Sequence, residues 1–271
     1  MFAKGCKTCS VNVLRITIGL LVCLHLAFIF MNLNEIRKNW TALGEQDPMW
    51  AILTDSGKKG NRWQMDDFFE TGRQQIKQIL GELETARISI VRGKALDFGC
   101  GIGRLSQALS EHFESVDGVD ISTSMISNAQ KLNRFPGRTI YHLNVHNDLN
   151  LFPSNQYDFI FSWIVLQHMP CAPQQNYIVD FFRLLKPGGV AYFQTIHTQG
   201  WRSCVPDWAA DFYRKLKHKG RPFIPMYGLP VKSARKIIKN AGGIIKKYET
   251  SPFSDRPSRF KSDIYCVSKQ A

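Results

Sequence analysis

The sequence predicts an α/β fold, a parallel sheet with helices on both faces. Three observations carry this. From Gly93 onward, short apolar runs alternate with amphipathic segments, the pattern of strand–helix–strand units. The run Ala95-Leu96-Asp97-Phe98-Gly99-Cys100-Gly101-Ile102-Gly103-Arg104 reads as a strand, a glycine-rich turn and the start of a helix, because glycines let the backbone turn sharply and let a ligand approach it closely. Val116-Asp117-Gly118-Val119-Asp120 is a second short strand with Asp120 at its C-terminal tip, about twenty residues after the turn, where a carboxylate can accept hydrogen bonds from ribose hydroxyls.

Strands are expected near 95–98, 115–119, 139–143, 157–162 and 190–196, with helices at 103–112, 123–133 and 173–185 between them. After Ile196 the pattern breaks, and residues 197–229 show little periodicity. A helix from Val231 to Ala241 follows, then two short apolar runs near 244–249 and 263–268. Ligands of such sheets bind outside the carboxyl ends of the strands. Asp97, Gly99, Asp120, Asn144 and Ser162 all fall at or near such ends.

The N-terminal third divides differently. Ile16 to Leu33 is almost continuously apolar, and eighteen helical residues span about 27 Å, enough for a bilayer core of roughly 30 Å. Residues 1–33 are therefore expected to be a tail and an uncleaved single-pass transmembrane helix, since the residues after the run do not resemble a signal-peptide cleavage site. Lys4, Lys7 and Arg15 before the run and Arg37 and Lys38 after it lean weakly toward a cytoplasmic N-terminus. Residues 34–60 are polar, with Gly, Pro and Asp, and read as a linker. Within 34–90, Phe68, Phe69, Ile76, Ile79, Leu80 and Leu83 recur at helical spacing. That spacing makes Phe68 and Phe69 core residues and leaves Trp63 to line the cleft.

The turn does not fit the nicotinamide fingerprint G-x-G-x-x-G. Arg104 stands where its third glycine belongs, and Asp97 inside the first strand suits a cationic ligand better than a pyrophosphate. Asp97-Phe98-Gly99-Cys100-Gly101 resembles motif I (D-x-G-x-G) of the class I S-adenosylmethionine (SAM) methyltransferases, and Asp120 matches that family's acidic motif II. The resemblance continues through Tyr157 to Ser162, Leu166-Gln167-His168-Met169 and Leu184-Leu185-Lys186-Pro187-Gly188-Gly189. Asp47 to Leu53 and Trp63 to Arg73 resemble the N-terminal cap of bacterial small-molecule members.

The resemblance implies a Rossmann-like, doubly wound, seven-stranded sheet over residues 91–271, mostly parallel and closed by a C-terminal antiparallel strand. It implies S-adenosyl-L-methionine as the cofactor. Gly99, Cys100 and Gly101 would admit its methionine end, Asp97 would bind the amine directly or through water, and Asp120 the ribose. Ile121 and Met125 would flank the adenine, with Asn144 at the adenine-binding position and Ser162 at the tip of the fourth strand. Methyl transfer depends largely on positioning and exclusion of water, and an oxygen or nitrogen acceptor can also need a base. His168 and His197 are the candidates, with His168 preferred because its setting lies where the family's acceptor pocket opens. Ser162-Trp163-Ile164-Val165 stands where the amino-methylating nucleic-acid enzymes carry Asn/Asp-Pro-Pro-aromatic, so no sequence-specific nucleic-acid partner is expected.

Composition limits the remaining choices. Seven scattered cysteines, an odd number, exclude a disulfide framework. Cys6 and Cys9 form one C-x-x-C with no second pair to complete a zinc site, so no metal is expected. The net charge of +13 concentrates locally at Arg214 to Arg221 and at Lys232 to Lys247. These are either solvated helix faces or surfaces that guide something anionic. The sequence thus predicts a membrane-anchored methyltransferase of a small-molecule or lipid-like acceptor, its domain on the cytoplasmic side where SAM is supplied. A non-catalytic SAM-binding domain used for assembly and a NAD-dependent oxidoreductase remain as alternatives.

Overall fold

A computed structural model describes residues 33–198, 207–252 and 260–270. The predicted transmembrane run lies outside the described residues, apart from Leu33. Among the described residues no helix is long and apolar enough to cross a membrane.

One seven-stranded sheet organises the chain, in the order β3-β2-β1-β4-β5-β7-β6. The strands are β1 (Lys94–Phe98), β2 (Ser115–Asp120), β3 (Thr139–Leu143), β4 (Tyr157–Ser162), β5 (Leu185–Thr198), β6 (Gly243–Pro252) and β7 (Phe260–Lys269). Strands β1 to β5 pair in parallel, and β7 runs antiparallel to both β5 and β6. All six residues of β4 are buried. It is covered on both faces, which is why it reads in the sequence as a run of apolar residues rather than an alternation.

The period of two along a strand sorts side chains onto two helical layers. Ala95, Phe159, Phe161 and Tyr192 pack with Ile76, Leu80 and Leu83 of α3 (Met65–Thr85) and with Leu105 and Leu109 of α4 (Arg104–Ser110). Leu96, Ile160, Ala191, Phe193 and Tyr265 pack on the other face with Tyr177, Ile178 and Phe181 of α6 (Cys171–Leu184) and Ile238 of α8 (Val231–Asn240). Between them in the chain, α5 (Thr123–Lys131) covers β2 and β3. It starts at Ser122, whose hydroxyl accepts from the Met125 N–H at 3.2 Å, a regular N-cap.

Three expectations need correction. Residues 34–60 are not a linker. Most of them form α1 (Leu33–Gln46) and α2 (Pro48–Ile52), which pack Leu43 and Ala51 against Phe68, Phe69, Ile102 and Met125. The Asp47 carboxylate accepts N–H groups from Trp50, Gly60 and Asn61 at 3.3, 2.7 and 2.9 Å and so closes the following loop back onto the helix pair. Second, the segment without periodicity contains α7 (Asp207–His218). Third, β5 begins at Leu185 rather than near 190, with a register shift opposite Tyr157 and Phe159 that absorbs the Pro187-Gly188-Gly189 bend.

Candidate active site

A cavity of about 870 Å³ opens at the carboxyl ends of the parallel strands, under α1, α2 and the 224–226 segment. The glycine turn forms its floor. Gly99, Gly101 and Gly103 have φ of 78°, 54° and 87°, the left-handed region that glycine enters without penalty. A Cβ on Gly99 would lie 2.3 Å from a methyl of Val165, and one on Gly103 would lie 2.2 Å from the Tyr141 hydroxyl. The turn is therefore closed around the backbone on both counts.

Asp120 sits beside this turn. Its Oδ2 accepts the Gly101 N–H at 3.0 Å and its Oδ1 accepts the Ser122 N–H at 2.8 Å. Burial pushes its carboxyl above the usual range, and those backbone N–H groups oppose the shift. Each oxygen keeps a further lone pair for a ligand hydroxyl. Gly99, Cys100, Gly101, Asp120, Ile121, Met125, Asn144 and His168 all line the cavity. Asn144 gives its amide hydrogens to the carbonyls of His146 and Asp148, at 3.4 and 2.7 Å. Only its carbonyl, which also accepts the His146 N–H at 3.2 Å, remains to meet a ligand.

Asp97 and Ser162, expected at the cofactor, are not on the cavity wall. Strand alternation puts Asp97 on the α4 side of β1. There its carboxylate accepts the Ser106 hydroxyl at 2.6 Å, and only 1% of the residue is exposed. Burial raises its pKa to about 6, against the Ser106 hydrogen bond and the Arg104 charge. Asp97 therefore meets the glycine turn from the α4 side, behind the cavity wall. Ser162 is fully buried, and its hydroxyl has no hydrogen-bond partner among the described residues. His197 is also away from the cavity, and its Nδ1 meets Asp263 at 2.5 Å. Trp63 lines the cavity, whereas Phe68 and Phe69 are buried in the core beneath it.

His168 lies in a single 3-10 turn, Leu166–His168. Its Nδ1 is 2.6 Å from the Pro225 carbonyl, so Nδ1 carries the hydrogen and Nε2 keeps its lone pair. Burial lowers its pKa to about 4, which holds the ring neutral. The Trp40 ring stands 5.1 Å from it.

Several further residues line the cavity or shape its wall. Gln167 lines the cavity, and its Oε1 is buried without a hydrogen-bond partner among the described residues, which leaves an acceptor for a ligand donor. Ile164 has φ of 59°, a costly conformation for a β-branched residue. It is held there by the Gln194 side chain, which accepts the Ile164 N–H at 3.0 Å and donates to the Ser262 hydroxyl at 2.6 Å. Trp40, Trp163, Ile224 and Met226 complete an apolar wall. Among the described residues no group of His, Cys, Asp or Glu is placed to hold a metal.

The two shifted groups oppose each other in a pH titration. Asp97 binds a proton in the folded state up to about pH 6 but in the unfolded state only to ~3.9. Its contribution is therefore present at low pH and lost as the pH climbs through about 6. His168 stays neutral down to about pH 4 but is protonated below ~6.5 when unfolded, so its contribution is lost as the pH falls from ~6.5 toward 4. Each effect is about 3 kcal/mol at 1.36 kcal/mol per unit. The contributions of these two groups thus nearly cancel between about pH 4.5 and 6. In urea titrations Asp97→Asn gains stability as pH rises across this window, and His168→Gln loses it.

Residues 95–189 match the family model described as a methyltransferase domain. The chain is 25% identical over 142 residues to a ubiquinone biosynthesis O-methyltransferase of Methylococcus capsulatus, covering 52% of this chain and 59% of that one. It is 34% identical over 108 residues to the protein of that name from Coxiella burnetii, covering 40% and 45%. The chain thus spans about half the length of the curated relatives it matches. The crystal structure of magnesium protoporphyrin IX methyltransferase from Synechocystis, with SAH bound, aligns with a TM-score of 0.57 at 17% identity, covering 88% of this chain and all of that one. At that identity the likeness shows the fold.

Residues 95–189, which run from β1 through the glycine turn into the start of β5, thus match a methyltransferase domain, and the sheet has the fold of such domains. The residues present fit the cofactor. The turn has no side chain where the backbone must approach a ligand, and both Asp120 oxygens have lone pairs left for ribose hydroxyls.

Proposed function

We propose that this protein transfers a methyl group from SAM to a hydroxyl of a small, lipid-like acceptor with an apolar body, reached at a membrane. The observation that carries the reading is one continuous cavity with two chemically different ends. The Asp120 end suits a nucleoside. The other end is walled by Trp40, Trp163, Ile36, Ile224 and Met226, with Gln167, His168 and Gln194 among its polar groups. At about 870 Å³ the cavity lies high in the range of ligand sites, ~300–1,000 Å³, with room for a cofactor and a second molecule. The name of the curated relatives, ubiquinone biosynthesis O-methyltransferase, supports an oxygen acceptor.

When bound, SAM supplies an electrophilic methyl on a sulfonium centre. The protein's residues do the rest. The apolar wall excludes water and aligns the acceptor. The Pro225 carbonyl fixes the His168 tautomer, and Nε2 would take the hydroxyl proton as the acceptor oxygen gained the methyl and the S–CH3 bond broke with its electron pair left on sulfur. Burial makes His168 a weak base but a permanently available one, since it is neutral at every pH well above about 4.

The test uses the full chain with SAM labelled in its methyl group, offered a membrane lipid extract and a water-soluble extract. Label is expected in an organic-phase methyl ether formed from a hydroxyl compound, in a reaction that His168→Gln slows by about 10²-fold or more. It is also expected that kcat holds level as the pH falls through ~6.5, where an ordinary histidine titrates. Label confined to water-soluble acceptors refutes the acceptor class. Turnover unchanged in His168→Gln refutes the base.

A further inference from the structure

The exposed large apolar side chains of this protein are scattered singly, as on most surfaces, with one exception among the described residues. Phe212, Tyr213 and Leu216 of α7 are 51%, 64% and 60% exposed. Residues 212 and 216 are one helical turn apart and 213 is adjacent, so the three form one outward ridge. The polar residues of α7 that turn inward are already engaged. Arg214 bonds Asp211 and the Met226 carbonyl, each at 2.6 Å, and the Tyr227 hydroxyl donates to Asp211 at 2.7 Å. The helix is thus fastened by its polar face and presents its apolar face outward, the reverse of a helix that serves the core.

Charge specifies the occupant. Between 214 and 221 there are five Lys or Arg, and no Asp or Glu occurs from 212 to 230. Lys217 and Lys219 are exposed at the C-terminal end of the ridge. Aromatic and aliphatic side chains bordered by lysines are the pattern of a helix lying in the interface of an anionic bilayer.

Position agrees with this. A groove between α7 and the 223–226 segment is lined by Tyr213, Lys217, Phe223, Ile224 and Met226, and Ile224 and Met226 also line the active-site cavity. One layer of side chains therefore separates the ridge from the acceptor end. The same side holds the entry of the chain. Lys215 bonds Glu35 in the first turn of α1 at 3.1 Å, and Asn39 of α1 makes a two-way hydrogen bond with the Phe223 backbone, at 2.5 and 2.9 Å. Leu33, at the start of α1, lines the cavity, and the sequence before it, residues 16–32, is the apolar run.

We propose that the outward face of α7 docks on the surface of an anionic lipid bilayer and brings the acceptor end of the cavity to it. This surface relies on no step of methyl transfer, so its test and the test of the activity fail separately. The full chain is reconstituted in phosphatidylcholine vesicles with and without phosphatidylglycerol, and amide hydrogen exchange is followed in residues 207–218. Exchange is expected to slow about fivefold or more when the anionic lipid is present, since each basic residue near such a surface contributes ~1 kcal/mol. The slowing disappears at high salt. It is also lost in Phe212→Ser/Leu216→Ser and in Lys217→Gln/Lys219→Gln. These replace exposed side chains, so exchange in the sheet stays as in wild type. Equal exchange in both kinds of vesicle overturns the proposal. So does slowing produced by soluble polyglutamate and not by vesicles, which would make the partner an acidic polypeptide.

Discussion

Asp120→Ala raises the dissociation constant for SAM by about two to four orders of magnitude while the sheet stays folded. The carboxylate accepts the Gly101 and Ser122 N–H groups and offers its remaining lone pairs to the ribose. Hydrogen bonds to a charged group contribute about 1.5–3 kcal/mol each, and ~1.4 kcal/mol is one decade of affinity. Two such bonds give the predicted loss. The variant leaves the Gly101 and Ser122 N–H groups without that acceptor, a cost partly offset because burial disfavours the Asp120 charge in the folded protein. Trp40, Trp63 and Trp163 line the same cavity, so quenching of tryptophan fluorescence reports the binding directly. Unchanged affinity in the variant would remove Asp120 from the site.

Gly99→Ala is the second large effect, and it strikes fold and site together. The new Cβ would enter at φ of 78°, 2.3 and 2.4 Å from the two methyls of Val165. Left-handed backbone costs an alanine roughly 1–2 kcal/mol, and overpacking adds about 1–3 kcal/mol. Relief can come only by pushing Val165 and its neighbour Ile164, already at φ of 59°, into the cavity. We expect a loss of about 2–5 kcal/mol in urea titrations together with loss of SAM binding. Gly137→Ala is the control. It has φ of 83° with nothing within 4 Å of the added Cβ, so it carries the backbone cost alone. Equal destabilisation in the two variants would mean that contact with Val165 carries no energy.

The sheet was legible because its buried strands are written as short apolar runs of fixed length, and the turn because glycine, aspartate and spacing coincide within ten residues. Strand alternation already implied that Asp97 shares a face with Ala95, the face α4 covers, so it meets the turn from that side. The helix α1 was hidden although Leu33, Ile36, Trp40 and Leu43 recur at helical spacing, because its asparagines, Gly44 and the following Pro48 gave it the composition of a linker. The helix α7 was hidden by its inverted pattern, with Asp211 and Arg214 turned inward and Phe212, Tyr213 and Leu216 outward. Of the acceptor end, the sequence pointed to the Leu166–Met169 segment with His168 and little else. Trp40, Gln167, Gln194 and Met226 come from four separate stretches of the chain, and only the folded sheet brings them to one cavity.

Calorimetric titration of the full chain with SAM, SAH and NADH tests the account most directly. Saturable binding of SAM and SAH, with no heat from NADH, is the predicted result. Binding of NADH with none of SAM, by protein whose melting shows it folded, would contradict the account and return the glycine turn to a nicotinamide cofactor.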